Sequence, residues 1–242
     1  MSKRLPIVVG TLDEGALRPL PLRKYCDALP PRGPGNRGIL EPGTASRYAD
    51  QTANYLRAVE SDFKVTIRAI AIDAPGCYCP EDQPLRISET ALSEAKISFF
   101  STPTRSAFDE ILNRARHHQL NGGDIRRVPH ANKLWMHAGF ALFEVLGHSW
   151  SCLETYPFAI AHELGIKDKK SRGLGHRAHL HAALHHTGWA PRDLYNELSL
   201  IAFGDPHDRV DAYLACWVAS LRERDRRAYG SGSDAIWVPQ LP

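Results

Sequence analysis

An apolar run that stops at a carboxylate is the feature that most restricts how this chain folds. Residues 69–72 read Ala-Ile-Ala-Ile, and Asp73, Ala74 and Pro75 follow directly. A short apolar run bounded by turn residues predicts a buried β-strand, and open α/β sheets bind their ligands at the carboxyl ends of such strands. We therefore expect this run to place the Asp73 carboxylate at a ligand-binding edge of a sheet.

Three further acids follow far downstream. Asp208 and Asp211 lie three residues apart at the start of a predicted helix, and Glu154 closes a semi-apolar run before Tyr156 and Pro157. Carboxylates gathered from separate elements suit a hard divalent cation such as Mg²⁺, which prefers oxygen ligands and substrate phosphates. The pattern predicts phosphodiester chemistry.

Each acid also has a structural interpretation. Asp73 stands before Ala-Pro-Gly, which is ordinary turn chemistry. An ion pair with a neighbouring arginine explains Glu154 as well as a catalytic role does. Arg86 either binds a phosphate or pairs with Glu89, and pairing is the commoner outcome for such residues.

The two helical acids differ in their structural explanations. Asp205 and Pro206 form a helix-start signature, in which an acid at Asp208 completes the cap. Asp211 precedes the almost wholly apolar residues 212–219. A carboxylate beside so apolar a stretch is expected to be partly buried and needs a partner or a metal, so Asp211 is the strongest candidate.

A histidine-rich segment is a weaker candidate for a metal site. Two of its members, His181 and His185, lie one helical turn apart and could bind a transition metal. The segment contains no H-E-x-x-H motif, and arginines and glycines surround it, which favours a solvated face. Its histidines are His176, His179, His181, His185 and His186.

The composition fits one soluble α/β domain. The chain has 242 residues, of which 43% are hydrophobic, with a net charge of +3, enough apolar material for a core but too little basic excess for a dedicated non-specific nucleic-acid binder. Its five cysteines show no zinc or disulfide spacing. No signal peptide or transmembrane run is recognisable, so we expect no membrane association and a cytoplasmic protein.

Alternating strand and helix patterns predict a mixed sheet in a single domain over residues 1–242, with a loop insert around 23–45 and a helical insert around 89–146. Strands are expected at 5–10, 16–22 (a hairpin with the first), 65–72, 149–155 and 235–238, and helices at 46–62, 89–96, 107–119, 134–146, 159–164, 177–187, 191–202 and 206–224.

Seven short motifs follow one another in an order that resembles a known family. They are residues 71–75, Arg86 with Glu89, 99–103, 154–157, 173–177, 207–212 and 236–239. Each motif is loose by itself, but together they span most of the chain. In this order the chain resembles domain of unknown function 429, a family of predicted nucleases in the RNase H-like superfamily.

The resemblance implies an RNase H-like α/β core, with a mixed central sheet and helices on both faces. It implies that Asp73 with Asp208 or Asp211 binds two Mg²⁺ or Mn²⁺ ions, and that Glu154 is a further catalytic candidate. Arg86 would contact the phosphate of a nucleic-acid substrate. The leading hypothesis is therefore a metal-dependent nuclease.

The amino terminus departs from this pattern. RNase H-like enzymes carry an essential acid on their first strand in a Gly-x-Asp context, whereas residues 1–4 look like the residues that follow that acid. Residues 5–10 and 16–22 then resemble the second and third strands. Our hypothesis is that the first strand is missing, and Asp13 is no substitute because it lies in a turn.

Two other functions remain open at this stage. A non-catalytic nucleic-acid-binding or scaffold protein would use basic stretches such as residues 222–227 and 126–127 to hold a phosphate backbone. A transferase or hydrolase acting on a phosphorylated small molecule is less favoured, because the chain has no Gly-rich phosphate loop.

Overall fold

A computed structural model describes residues 3–166 and 175–241, and within them the chain forms six strands and ten α-helices. The strands are β1 Gly10–Asp13, β2 Ala16–Pro19, β3 Ala69–Ile72, β4 Ser151–Thr155, β5 Arg226–Ser231 and β6 Asp234–Pro239. The helices are α1 Leu22–Tyr25, α2 Gly35–Gly38, α3 Thr44–Phe63, α4 Ile87–Glu94, α5 Arg105–Leu120, α6 Ala131–Leu146, α7 Pro157–Glu163, α8 Gly175–Thr187, α9 Leu194–Ile201 and α10 Pro206–Ser220.

Four strands form the main sheet in the order β3-β4-β6-β5. β4 pairs parallel with both β3 and β6, whereas β5 joins β6 antiparallel at one edge. Ile72 lies opposite Glu154 in the register of β3 and β4, so Asp73 and Glu154 emerge at the same end of neighbouring strands. The expected α/β class with a mixed sheet is confirmed.

Helices cover both faces of this sheet because the side chains of β3 alternate between them. Ile70 and Ile72 belong to the apolar cluster formed with α3, α5 and α6. Ala71 packs instead against the cluster that contains α10 and α7. The long helix α3 lies against α6 on the first face, and α10 contacts β3 on the second.

The expected hairpin near the amino terminus is present, but it is shorter than predicted. β1 and β2 pair antiparallel around Glu14 and Gly15, whose φ angles are +49° and +83°. Two left-handed residues give the turn the twist that two-residue hairpins require, and glycine adopts that conformation without strain. The predicted first strand over residues 5–10 forms regular pairing only from Gly10 onward.

Most helices agree with the sequence prediction to within a few residues, but the ends of some elements and one strand do not. The strand predicted over 65–72 is paired only from Ala69 onward. β5 was not predicted, because its sequence Arg-Arg-Ala-Tyr-Gly-Ser lacks the alternation of apolar and polar residues that marks a half-buried strand. The predicted loop insert around 23–45 contains α2, and the predicted helix over 206–224 ends at Ser220.

In the part of the chain that the structure describes, no helix combines the length and apolarity needed to cross a membrane. Gly173 and Leu174, which belong to one of the seven motifs, lie outside the described residues.

Candidate functional site

A buried group of charged side chains lies where β4, β6 and α4 meet. The Arg86 side chain is 1% exposed, and its Nη1 and Nη2 donate to the two carboxylate oxygens of Glu154 at 3.0 and 2.7 Å. Its Nε donates to Asp234 Oδ1 at 2.7 Å. One arginine therefore bridges two carboxylates, and its guanidinium is covered by protein.

Local structure at the start of α4 holds Arg86 in this position. The backbone N–H of Arg86 donates to Glu89 Oε2 at 3.3 Å, and the N–H of Thr102 donates to Glu89 Oε1 at 2.6 Å. Glu89 is thus bonded to backbone N–H groups. The ion pair of Arg86 is formed with Glu154 and not with Glu89, the partner considered from the sequence.

The same pair connects β4 to the loop that carries Asp73. The backbone N–H of Gly76 donates to Glu154 Oε2 at 2.7 Å. Burial raises the pKa of the Glu154 carboxyl, although the Arg86 guanidinium and the Gly76 N–H act in the opposite direction. Burial alone would lower the pKa of Arg86, but its hydrogen bonds and charge contacts with Glu154 raise it above its ordinary value.

A cavity of about 1100 Å³ lies beside β3, and we refer to it as the β3 groove. Three of the predicted acids line it: Asp73, which follows β3, and Asp208 and Asp211, which lie in the first turns of α10. Asp73 is exposed, whereas the other two are half-buried. Glu154 and Arg86 are not among the residues that line the groove.

The Tyr156 side chain is influenced by the charges of two of these acids. Burial raises the pKa of Tyr156 to about 12, and the negative charges of Asp73 and Asp211 contribute to the same shift. The hydroxyl donates to the carbonyl oxygen of Ser98 at 2.7 Å. The fold therefore brings Asp73 and Asp211, from distant parts of the chain, to the surroundings of one side chain.

Asp208 is held mainly by the amino-terminal cap of α10. The Asp205 N–H donates to Asp208 Oδ2 at 3.2 Å, and His207 Nε2 lies 3.0 Å from Asp208 Oδ1. Among the described residues, possible ligand atoms of Asp205, His207 and Asp208 lie within 4.8 Å of one another. Asp73 and Asp211 are not members of that group. Lys3 pairs with Asp205 and lowers the pKa of its carboxyl.

Comparison with known proteins adds one finding to this geometry. A family model described as "Protein of unknown function (DUF429)" matches residues 43–233. The chain belongs to the DUF429 family. No curated protein and no solved structure gave a significant match.

The DUF429 match includes every acid predicted from the sequence, together with Arg86. Asp234, the second carboxylate bound by Arg86, lies one residue beyond the match, and the β1–β2 hairpin lies before it. The family description states no activity.

The histidine segment of this DUF429 chain is only partly the solvated face that we expected. His181, His185 and His186 are exposed along α8, which agrees with the prediction. His179 is 1% exposed, so the prediction is wrong at that position. Its side chain is buried because α8 packs against α10.

Sequence reasoning missed two residues of this region. Asp234 was overlooked because β5 was not predicted, although the Gly-Ser-Gly-Ser sequence before it is a recognisable turn signal. Tyr156 belongs to one of the seven motifs, but its exposure to the charges of Asp73 and Asp211 depends on tertiary packing. No local pattern marks either role.

Proposed function

We propose that this DUF429 protein is a metal-dependent nuclease with an RNase H-like fold, in which Asp73 and Asp211 hold Mg²⁺ or Mn²⁺. The observation that carries the proposal is that both acids line the β3 groove and that both charges act on Tyr156. Carboxylate oxygens are the ligands that these cations prefer. Bound at such a site, the ions would activate water and stabilise the leaving oxygen of a phosphodiester.

The fold class is compatible with this proposal. The parallel strands β3, β4 and β6 have helices on both faces, and the Asp73 carboxylate lies at the carboxyl end of β3. Ligands bind at that end in open α/β sheets. The half-buried Asp208 supplies a further carboxylate from the same helix as Asp211.

Glu154 and Arg86 act in this proposal as positioning residues. Glu154 accepts the N–H of Gly76, three residues after Asp73, and is held by the Arg86 guanidinium. The pair therefore fixes the loop that presents Asp73. Direct phosphate binding by Arg86 is not supported, since its guanidinium is buried against two carboxylates.

Non-catalytic binding of nucleic acid has less support from the described side chains. Several arginines of the basic stretches are paired with acids near them or across the fold: Arg222 with Asp225 at 2.7 Å, Arg126 with Asp124 at 3.1 Å and Arg227 with Glu163 at 3.1 Å. These pairs reduce the positive charge available to a phosphate backbone.

The test compares cleavage and ion binding in matched variants. Asp211→Asn removes one anionic ligand at nearly constant shape, and Asp50→Asn makes the same change at an exposed position on α3. We expect the unchanged protein and Asp50→Asn to cleave DNA or RNA oligonucleotides with Mg²⁺ or Mn²⁺. Asp211→Asn should lose cleavage. Calorimetry should show that this variant binds Mn²⁺ about 10- to 100-fold more weakly than the unchanged protein.

Cleavage that persists in Asp211→Asn would exclude the proposed site. Oligonucleotide binding without any metal-stimulated hydrolysis by the unchanged protein would favour the non-catalytic alternative. Asp73→Asn provides a second variant of the same site, because its side chain is exposed and its loss disturbs little packing.

A further inference from the structure

Two large aromatic side chains are exposed near the acids of the β3 groove. Trp135 is 43% exposed and Phe100 is 61% exposed. Trp135 lines the groove from α6, and Phe100 belongs to residues 99–103, a motif that the proposed ion site does not explain. Exposed aromatic rings that gather at one site, unlike scattered ones, mark a binding surface.

The direction of α6 places Trp135 at the carboxyl end of the sheet. The helix ends at Leu146, and β4 then begins at Ser151, which pairs with Ala69 at the start of β3. The carboxyl end of α6 therefore lies near the start of β3, and the helix runs antiparallel to this strand. Trp135 stands in the first turns of α6, so it lies where β3 ends.

Packing and a hydrogen bond hold Trp135 beside the first of the acids. Gly139, one turn further along α6, lies directly against Ala74, the residue that follows Asp73. Trp135 Nε1 donates to the carbonyl oxygen of Asn132 at 2.7 Å. The indole ring is therefore held at the acid end of the groove, and the hydrogen bond sets its orientation.

Two further hydrogen bonds hold the loop that carries Phe100 between the acids and α6. Tyr156, the side chain influenced by the charges of two acids, donates to the carbonyl oxygen of Ser98 at 2.7 Å. Lys133 Nζ donates to the carbonyl oxygen of Ser101 at 3.0 Å. Because Phe100 lies between the two bonded residues, its loop has the acids on one side and the start of α6 on the other.

Stacking on these rings would supply affinity that the acids cannot. Carboxylates repel the phosphates that are not bound by the ions of the site. The face of a base carries no net charge, and its stacking on an aromatic side chain strengthens binding by about 5- to 100-fold per base. In a duplex the faces are covered by neighbouring base pairs, so only unpaired bases can use the rings.

We propose that Phe100 and Trp135 form a stacking platform for unpaired bases, and that the substrate of this DUF429 protein is single-stranded nucleic acid. This inference rests on the proposed nuclease function, since the acids and their ions bring the phosphate backbone to this end of the sheet. Bases stacked on the two rings hold that backbone beside Asp73 and Asp211. A duplex binds more weakly, because its bases are already stacked on one another.

The test measures binding apart from cleavage, with Ca²⁺ in place of Mg²⁺. The ligands are a labelled single strand of about 12 nucleotides, the same sequence as a duplex, and a strand of equal length that has abasic residues in place of the nucleotides. The abasic strand keeps the phosphates and removes the bases. Fluorescence anisotropy should show that the unchanged protein binds the single strand about 5-fold or more tightly than either other ligand.

Alanine variants assign this preference to the two rings. Trp135→Ala and Phe100→Ala should each weaken binding of the single strand by about 5-fold or more, with little change for the duplex or the abasic strand. The matched controls are Tyr195→Ala and Tyr25→Ala, because these tyrosines are 45% and 59% exposed. Neither tyrosine is among the residues that line the groove, so neither control should weaken binding.

Trp135→Phe keeps the proposal falsifiable if an alanine variant folds poorly. The variant retains an aromatic ring and should keep most of the affinity for the single strand. A stacked base quenches indole fluorescence, and the other tryptophans are buried or half-buried. The single strand should therefore quench part of the emission of the unchanged protein but not that of Trp135→Phe.

Three results would overturn the proposal. Equal affinities for the single strand, the duplex and the abasic strand would show that no base is stacked. Losses in the two alanine variants no larger than in their tyrosine controls would show that the rings do not bind the strand. A dimer of the unchanged protein, seen by light scattering and abolished by Trp135→Ala, would assign the rings to a second copy. Failure of the nuclease proposal is seen separately, as the absence of metal-dependent cleavage.

Discussion

Arg86 explains how the buried Glu154 and the half-buried Asp234 are accommodated on β4 and β6. Its guanidinium lies within hydrogen-bonding distance of both Glu154 and Asp234, and Ser88 Oγ donates to Asp234 Oδ1 at 2.6 Å. Burying a charge is unfavourable unless it is paired and hydrogen-bonded. Glu154 accepts the N–H of Gly76 in the loop after β3, so the position of this loop depends indirectly on the Arg86 guanidinium. That guanidinium does not line the β3 groove.

Loss of the Arg86 guanidinium should strongly destabilise the fold. Arg86→Met leaves Glu154 buried without its ionic partner, and breaking a buried pair in this way costs about 3–5 kcal/mol of unfolding free energy. Urea denaturation measures this loss. Replacing both members, with Arg86→Met and Glu154→Leu, should recover part of it because no charge of the pair then remains buried.

Arg105→Met is the matched control for this measurement. Arg105 forms an exposed pair with Asp109 on α5, and such surface pairs contribute at most about 1 kcal/mol. If Arg86→Met unfolds at the same urea concentration as Arg105→Met, the buried pair does not stabilise the protein.

At the scale of single elements, the amino terminus of α10 combines a helix cap with an acid of the proposed ion site. Asp205 caps the helix, Pro206 occupies its first turn, and the Asp208 carboxylate returns to the Asp205 N–H. These contacts satisfy N–H groups that a helix start leaves unpaired. Asp211 lies one turn further in, beyond the cap, and is a ligand of the proposed ion site.

This division predicts different consequences for two substitutions at Asp205. Asparagine is as good a cap as aspartate, whereas alanine cannot accept the backbone hydrogen bond. Asp205→Ala should therefore lower the melting temperature and Asp205→Asn should leave it nearly unchanged. Calorimetry should give the same Mn²⁺ affinity for both variants. A parallel loss of Mn²⁺ binding in both would instead assign Asp205 to the ion site.

For the whole molecule, the main sheet is unequally enclosed. Among residues 3–166 and 175–241, β4 and β6 are paired on both edges, but β3 is paired only on the edge that faces β4. Two helical layers cover the sheet, and they extend past β3 to enclose the β3 groove. The apolar surface of β3 is therefore less completely buried than that of the strands beside it.

Hydrogen exchange should reveal this asymmetry. Successive N–H groups of a strand point to opposite edges, so alternate amides of β3 face the groove, where the described part of the chain provides no partner strand. We expect those amides to exchange faster than the amides of β4 and the central residues of β6. Mass spectrometry or NMR can measure the rates, and uniform protection along β3 at the level of β4 would contradict this account.

Local sequence patterns predicted much of the architecture. The helical periodicity of α3 and α6, the hairpin around Gly15 and the short apolar strand before Asp73 are properties of neighbouring residues. Such signals predict that an element exists, but its ends depend on its partners. β3 is shorter than expected because pairing with β4 begins only at Ala69.

The sequence by itself determined the α/β class, most helices, the family to which the chain belongs and the placement of Asp73 at a strand end. Tertiary structure alone decided that Glu154 pairs with Arg86, that Asp73 and Asp211 lie near Tyr156, and that a groove opens beside β3. The physical reason is range: periodicity and capping act over a few residues, whereas ion pairs and strand edges are set by packing between distant segments.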